Sequence, residues 1–142
     1  MRILLVIHGY PPYYMAGSEV YTYNLARELA KTNDVFVFHR IEDKDIPLHQ
    51  FFDSFEEGVH IRKINNYEPT PATFYDKYLN PEIDDAFREY VKKVNPDVVH
   101  IGHLSHLSTQ IPIIAKREFG LPVLFTIHDF WMFCHRGQLI NP

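Results

Sequence analysis

Cysteine is almost missing: Cys134 is the only one, so no intrachain disulfide can staple the fold. A positive excess is missing too, since 14 Lys and Arg against 18 Asp and Glu give a formal net charge of −4. That argues against a nucleic-acid module, which carries a basic stripe, and against a polybasic membrane anchor. No apolar run nears the roughly 18 residues of a membrane span. The N-terminal run from Met1 to Ile7 passes straight into His8-Gly9-Tyr10-Pro11-Pro12 with no small-residue cleavage site, so a secretory signal is not expected. These absences fit a reducing, cytoplasmic setting. G-x-G-x-x-G and G-x-x-x-x-G-K-[ST] are also absent, which removes a dinucleotide fingerprint and a P-loop.

What is present is ordinary globular material with an aromatic and histidine surplus. The chain has 142 residues, 46% of them hydrophobic and 23% charged, enough for one domain with a real core. Aromatics reach 15%, and there are 9 His and 10 Pro. Short continuous apolar runs at 2–7, 35–38, 97–101 and 123–127 suggest strands buried on both faces. Val59, Ile61 and Ile64 suggest a half-buried edge strand, while residues 40–57 read as irregular or partly helical. A helix is expected from a Ser18 cap to about Lys31, with Tyr21, Leu25 and Leu29, and Thr22, Ala26 and Ala30 alongside, on its apolar stripe. Asn80-Pro81-Glu82 opens a second, whose stripe is Ile83, Phe87, Tyr90, Val91 and Val94, and Asn95-Pro96 stops it. A third runs about 109–119, capped by Ser108 or Thr109, before Gly120-Leu121-Pro122. Strands alternating with helices over short loops predict an α/β fold. It is a Rossmann-like, mostly parallel sheet with helices on both faces, in a single domain over residues 1–142.

In such sheets ligands bind outside the carboxyl ends of the strands. The unusual polar residues gather in three loops at such ends: His8–Gly17, Gly102–Ser108, and His128 onward. Gly17 opens a helix, where free N–H groups and the dipole favour a phosphate, or it serves only the turn. His128 suits general acid–base work or a hydrogen bond to a sugar hydroxyl, with Asp129 orienting it. His100, His103 and His106, with His128, Asp129 and His135, also raise a zinc site. Their spacing does not bring three rings to one face. Phe130, Trp131 and Phe133 either join the core or line a groove, and Arg136 could hold a phosphate. Arg88, Lys92 and Lys93 share one helix and read as a solvated face, with membrane association otherwise unsupported.

Several of these segments resemble family 4 glycosyltransferases. They are Met1-Arg2-Ile3, Pro11-Pro12, Ala16-Gly17-Ser18-Glu19 and Leu25-Ala26-x-x-Leu29-Ala30. Further on come Pro96-Asp97-Val98-Val99-His100, Gly120-Leu121-Pro122, Thr126-x-His128-Asp129-x-Trp131 and Cys134-x-Arg136-Gly137-Gln138-Leu139. The resemblance implies one half of a GT-B fold, the N-terminal, acceptor-side domain, with the C-terminal nucleotide-sugar domain absent from these residues. It implies sugar transfer from a nucleotide-sugar donor, with retention and no obligatory metal, to a carbohydrate or lipid-linked acceptor. Ala16, Gly17 and Ser18 would contact the donor diphosphate, although the family loop has Gly-Gly where Ala16-Gly17 stands here. His128 would be catalytic, and Glu19, His103, Asp129, Trp131 and Arg136 would line the acceptor cleft. Residues 1–142 alone would transfer little or nothing. Two other classes stay open: a stand-alone sugar-, phosphate- or subunit-binding module, and a metal-dependent hydrolase built on the histidines.

Overall fold

The computed structural model describes residues 1–67, 73, 75–134 and 137–139. Six strands form one sheet in the order β3-β4-β2-β1-β5-β6. They are β1 (Arg2–Ile7), β2 (Asp34–Ile41), β3 (Phe51–Glu56), β4 (Val59–Asn65), β5 (Val98–Ile101) and β6 (Val123–Phe125). All neighbours pair in parallel except β3, which runs antiparallel to β4. The helices are α1 (Gly17–Ala30), α2 (Pro81–Val94) and a short α3 (Ile111–Ile113) that widens at once into a π turn (Ile114–Glu118). A 3₁₀ turn spans Tyr75–Lys77. The expected α/β class and layering are present.

The sheet buries both faces. On one, Leu4, Val6, Phe36, Phe38 and Ile64 pack with Ile83, Phe87, Tyr90, Val91 and Val94 of α2 and with Ile111, Ile114 and Ala115. On the other, Ile3, Leu5, Ile7, Val35, Val37 and Ile61 pack with Ala26 of α1. Double-sided burial is why β1 reads as an unbroken apolar run. The whole α2 stripe is buried, and each side chain removed from water contributes about 1.5–3 kcal/mol. Asn80 caps α2 through its side chain, which accepts from the Ile83 N–H at 3.0 Å, and Asn95 ends it in the left-handed region.

Four expectations need correction. The 40–57 stretch holds a strand, β3, so β4 lies inside the sheet and β3 is the edge. A two-residue turn joins them, with φ 49° at Glu57 and 84° at Gly58, the backbone that suits the twist of a tight hairpin. α1 starts at Gly17 behind Ala16 with no side-chain cap, so Ser18 lies inside it; Thr22 and Ala26 of the expected stripe are buried, joined by Glu19, while Tyr21 is exposed. The third helix is a turn of α-helix followed by π geometry, with Gln110 as its uncapped N-cap. Ser108 Oγ instead accepts from the Gln110 N–H, and Thr109 Oγ1 donates to the Tyr78 carbonyl. β6 stops at Phe125 and is a half-exposed edge, with Leu124 58% exposed.

One partly exposed assembly ties the β3 edge down. Arg62, 1% exposed, donates twice to Asp53 (2.7 and 2.9 Å) and once to Glu89 (3.0 Å). Its guanidinium lies between the rings of Phe51 and Tyr90 at 4.0 and 4.6 Å. The cations of α2 are largely spent on neighbours: Arg88 on Glu118 and Asp85, Lys93 on Asp53. No helix among the described residues is long and apolar enough to cross a membrane.

Candidate functional site

From β1 the chain goes out to β2 and β4 on one side, then returns to β5 on the other. The crevice at the carboxyl ends of β1 and β5 is therefore the topological switch point, where open α/β sheets bind ligands. His8 follows β1 directly, and Gly102 and His103 follow β5. Gly102 lets the two loops meet, because a Cβ there would stand 2.9 Å from Ile7 Cδ1 and 3.2 Å from Thr22 Oγ1.

Two imidazoles meet in this crevice, the rings of His8 and His103, 4.5 Å apart. Each has a carboxylate behind it. His8 Nε2 lies 3.1 Å from Glu19 Oε1, and the second Glu19 oxygen accepts from the Ser18 hydroxyl at 2.9 Å. His103 Nδ1 accepts from the Ser105 N–H at 3.0 Å, so its proton sits on Nε2, which donates to Asp129 Oδ2 at 3.2 Å. The other Asp129 oxygen takes the Trp131 N–H at 2.8 Å. Burial pushes the His8 imidazole down to about 4, with help from His103 and against the pull of Glu19, so it is neutral at pH 7. A neutral His8 donates through Nε2 to Glu19, which leaves Nδ1 as an acceptor, buried and with no hydrogen-bond partner among the described residues.

The structure rearranges several expected roles. Asp129 does not orient His128; it is committed to His103 and Trp131. His128 is exposed, and its ring stands edge-on to Tyr21 of α1 at 5.0 Å. Tyr21 lies one helical turn after Gly17, so His128 packs against the first turns of α1. Glu19 is buried at 3% and has both oxygens occupied, so it positions His8 rather than facing the cleft. Trp131 is half-buried, against Tyr78 at 5.4 Å and His103 at 5.3 Å, while Phe130 and Phe133 are exposed. Arg136 and His135 lie outside the described residues.

The start of α1 is open. Ala16 and Gly17 are exposed, and no side chain among the described residues caps the helix, so its first N–H groups have no intrahelical partner. Ala16 sits at φ −80° and ψ 179°, extended backbone that any residue adopts, so alanine in place of glycine causes no strain there. Gly17 has no positive φ, and a Cβ on it would meet nothing within 4 Å. The chain itself therefore does not need a glycine at this point.

The histidines do not converge. His100 bonds to Thr126 Oγ1 at 2.7 Å, His103 to Asp129, and His128 meets Tyr21. Among the described residues no group of three or more His, Cys, Asp or Glu could hold a metal ion.

Sequence reasoning passed over Arg40 and Asn66 at the carboxyl ends of β2 and β4. Arg40, 6% exposed, donates through Nη1 to the Asn66 carbonyl (3.1 Å) and to Glu42 (3.2 Å), under the ring of Tyr14. A charged residue closing an apolar strand run was the available signal.

A doubly wound α/β sheet with its polar groups collected at the central carboxyl edge defines a protein that binds small ligands there. The chain belongs to Glycosyltransferase Family 4, whose model it matches over residues 15–140. No curated protein matches the chain.

Proposed function

We propose that these residues form the acceptor-side half of a glycosyltransferase that moves a sugar from a nucleotide-sugar donor, with retention, in the cytoplasm. The donor diphosphate lies against Ala16, Gly17 and Ser18, and His128 stands beside the transferred sugar. A second domain outside residues 1–142 holds the nucleotide. The observation that carries this reading is Gly17, a glycine with no conformational or packing need among the described residues, at an uncapped helix start whose next turn, at Tyr21, meets an exposed histidine. A bare backbone there lets phosphate oxygens approach the N–H groups closely.

The test is Gly17→Ala with inorganic pyrophosphate and UDP as probes. The added methyl has open space, and alanine gains up to about 1 kcal/mol over glycine in a helix. The variant should be as stable as the parent or slightly more so. Amide shifts at residues 17–20 on adding pyrophosphate should be lost or weakened at least tenfold. Unchanged binding by Gly17→Ala, or no shifts in the parent, would refute the diphosphate role.

A second reading, a subunit-binding module without catalysis, draws on the apolar rim beside Trp131. Phe130, Met132 and Phe133 are exposed at 50%, 47% and 75%. Tight capture of a partner chain together with no pyrophosphate binding would favour it.

A further inference from the structure

A separate polar cavity of about 150 Å³ opens between the carboxyl end of β4 and the start of α2. His49, Asn66, Asp76, Asn80, Glu82 and His106 line it. We propose that it binds one neutral sugar ring, a hexopyranose without phosphate or carboxylate. Naming that ring as the acceptor rests on the glycosyltransferase reading; the binding itself does not.

Size is the first argument. A volume of about 150 Å³ matches a benzene-sized ring, and because this cavity opens to solvent the outer hydroxyls of a sugar ring can project from its mouth. Rigidity is the second. Asn66 Nδ2 donates to the His106 carbonyl at 2.7 Å, and its Oδ1 accepts from Asn80 Nδ2 at 3.4 Å. The same Asn80 amide lies 3.3 Å from His49 Nε2, while its Oδ1 is held by the Ile83 N–H. The wall is therefore set before a ligand arrives, which lowers the entropy cost of binding.

Charge is the third argument, and it selects the ligand. The lining brings two carboxylates and two amides but no Lys or Arg among the described residues. Two hydrogen bonds from Thr73 hold the Asp76 carboxyl below its usual range, so it is ionised and accepts only. Its Oδ1 has no partner among the described residues, and Glu82 is exposed at the mouth. The buried cation bonded to a lining residue, Arg40, does not line the cavity and spends Nη1 on the Asn66 carbonyl and on Glu42. Carboxylates accept strongly from sugar hydroxyls and repel phosphate. Leu48 and Leu79 add an apolar wall for the C–H face of a ring.

The experiment is an amide-shift titration of the whole chain with glucose, galactose, mannose, N-acetylglucosamine and glucose 6-phosphate. At least one neutral sugar should give saturable millimolar shifts at His49, Asn66, Asn80 and His106. Glucose 6-phosphate should bind there at least tenfold more weakly. Glu82→Gln, an exposed change, should weaken the neutral sugar roughly tenfold with the fold intact by circular dichroism. Asp76→Asn should do the same if the first variant folds poorly. No shifts at these amides with any neutral sugar, equal binding of the phosphate, or full affinity in both variants would overturn the proposal. Pyrophosphate shifts at Gly17 report separately, so failure of one site leaves the other readable.

Discussion

Acid should unfold this protein through a buried imidazole. His39 ends the apolar run of β2, is 1% exposed, and donates Nδ1–H to the Arg40 carbonyl at 2.8 Å. Burial pushes its pKa from 6.5 down to about 4, with Lys63 adding in the same direction and the carbonyl bond opposing. The unfolded chain therefore binds this proton more readily than the folded one. Stability rises with pH wherever the unfolded state holds more protons. The contribution is complete above pH 6.5, falls between 6.5 and 4, and levels off below. With one pKa unit at 1.36 kcal/mol, the total is about 3 kcal/mol, of which about 2 is lost by pH 5. His8, pushed to about 4 by burial, adds a second proton over the same window. Two such protons remove about 4 kcal/mol by pH 5, a large part of the 5–15 kcal/mol that domains possess.

The assay is urea unfolding followed by circular dichroism at pH 7, 6.5, 6, 5.5 and 5, above the range where ordinary carboxylates titrate. His39→Asn separates this effect from the rest. The asparagine amide stands where Nδ1 does and can keep the Arg40 bond, but it carries no proton to lose. The variant is less stable at pH 7 because the ring leaves a gap, yet its slope with pH is about half that of the parent. Equal slopes in parent and variant, or a parent whose stability is flat from pH 7 to 5, would refute the reasoning.

Three other outcomes follow from single contacts. Arg62→Ala should lower stability by about 3 kcal/mol, because it leaves two carboxylates facing an emptied aromatic slot; Arg62→Met refills the slot and should cost clearly less, read from urea midpoints. Asp129→Asn offers one acceptor where two are used, so either His103 or the Trp131 N–H loses its bond, about 1–2 kcal/mol locally; a red-shifted Trp131 emission with little change in global stability is expected. Gly9→Ala puts a Cβ 2.7 Å from the Tyr14 ring; it should push Tyr14 off Arg40 and cost about 1–3 kcal/mol, and a variant as stable as the parent would show that the loop gives way freely.

The sequence made α2 legible because three signals agree there: the 3.6-residue stripe, the Asn80-Pro81 start and the Asn95-Pro96 stop. The parallel sheet was legible for a similar reason, since β1 and β2 are buried on both faces. β3 was not. Its alternating Phe51 and Phe55 look outward, at 39% and 63% exposure, so the hydrophobic pattern has no core to explain it. Its turn puts Glu57 at positive φ where an asparagine would have advertised a hairpin. α1 was placed well and its face was partly right: Thr22 and Ala26 are buried as expected, but a charged Glu19 joins their line and Tyr21 is exposed. The location of the site followed from the ends of the strands. Its pairings did not: His103 reaches Asp129 only through the register of β5 on β6, and His8 meets Glu19 only because the loop folds back onto α1. Nothing in the spacing distinguished Asp129 beside His128 from Asp129 beside His103.

That difference changes what the central histidines do. Both oxygens of Glu19 and both of Asp129 are taken, and His103 has both ring nitrogens engaged. Apart from His8 Nδ1, such a cluster has little capacity left for a ligand and much for holding three loops together: the one after β1, the one after β5 and the one after β6. Each bond contributes only about 0.5–1.5 kcal/mol net, but together they fix where the loops leave the sheet. The remaining open valences lie outside the cluster. They are the bare start of α1 and the exposed His128, and the carboxylates of Asp76 and Glu82 in the β4–α2 cavity. A transfer reaction needs donor and acceptor held apart at a set distance and brought to one line. On the proposed reading, the imidazole–carboxylate cluster, open only at His8 Nδ1, holds the loops that carry the two sites. Loosening it with Glu19→Gln should therefore disturb the geometry between the two sites while each still binds its own probe, pyrophosphate at Gly17 and a neutral sugar at Asn80. Loss of both bindings in that variant would mean that the cluster builds the sites rather than spaces them.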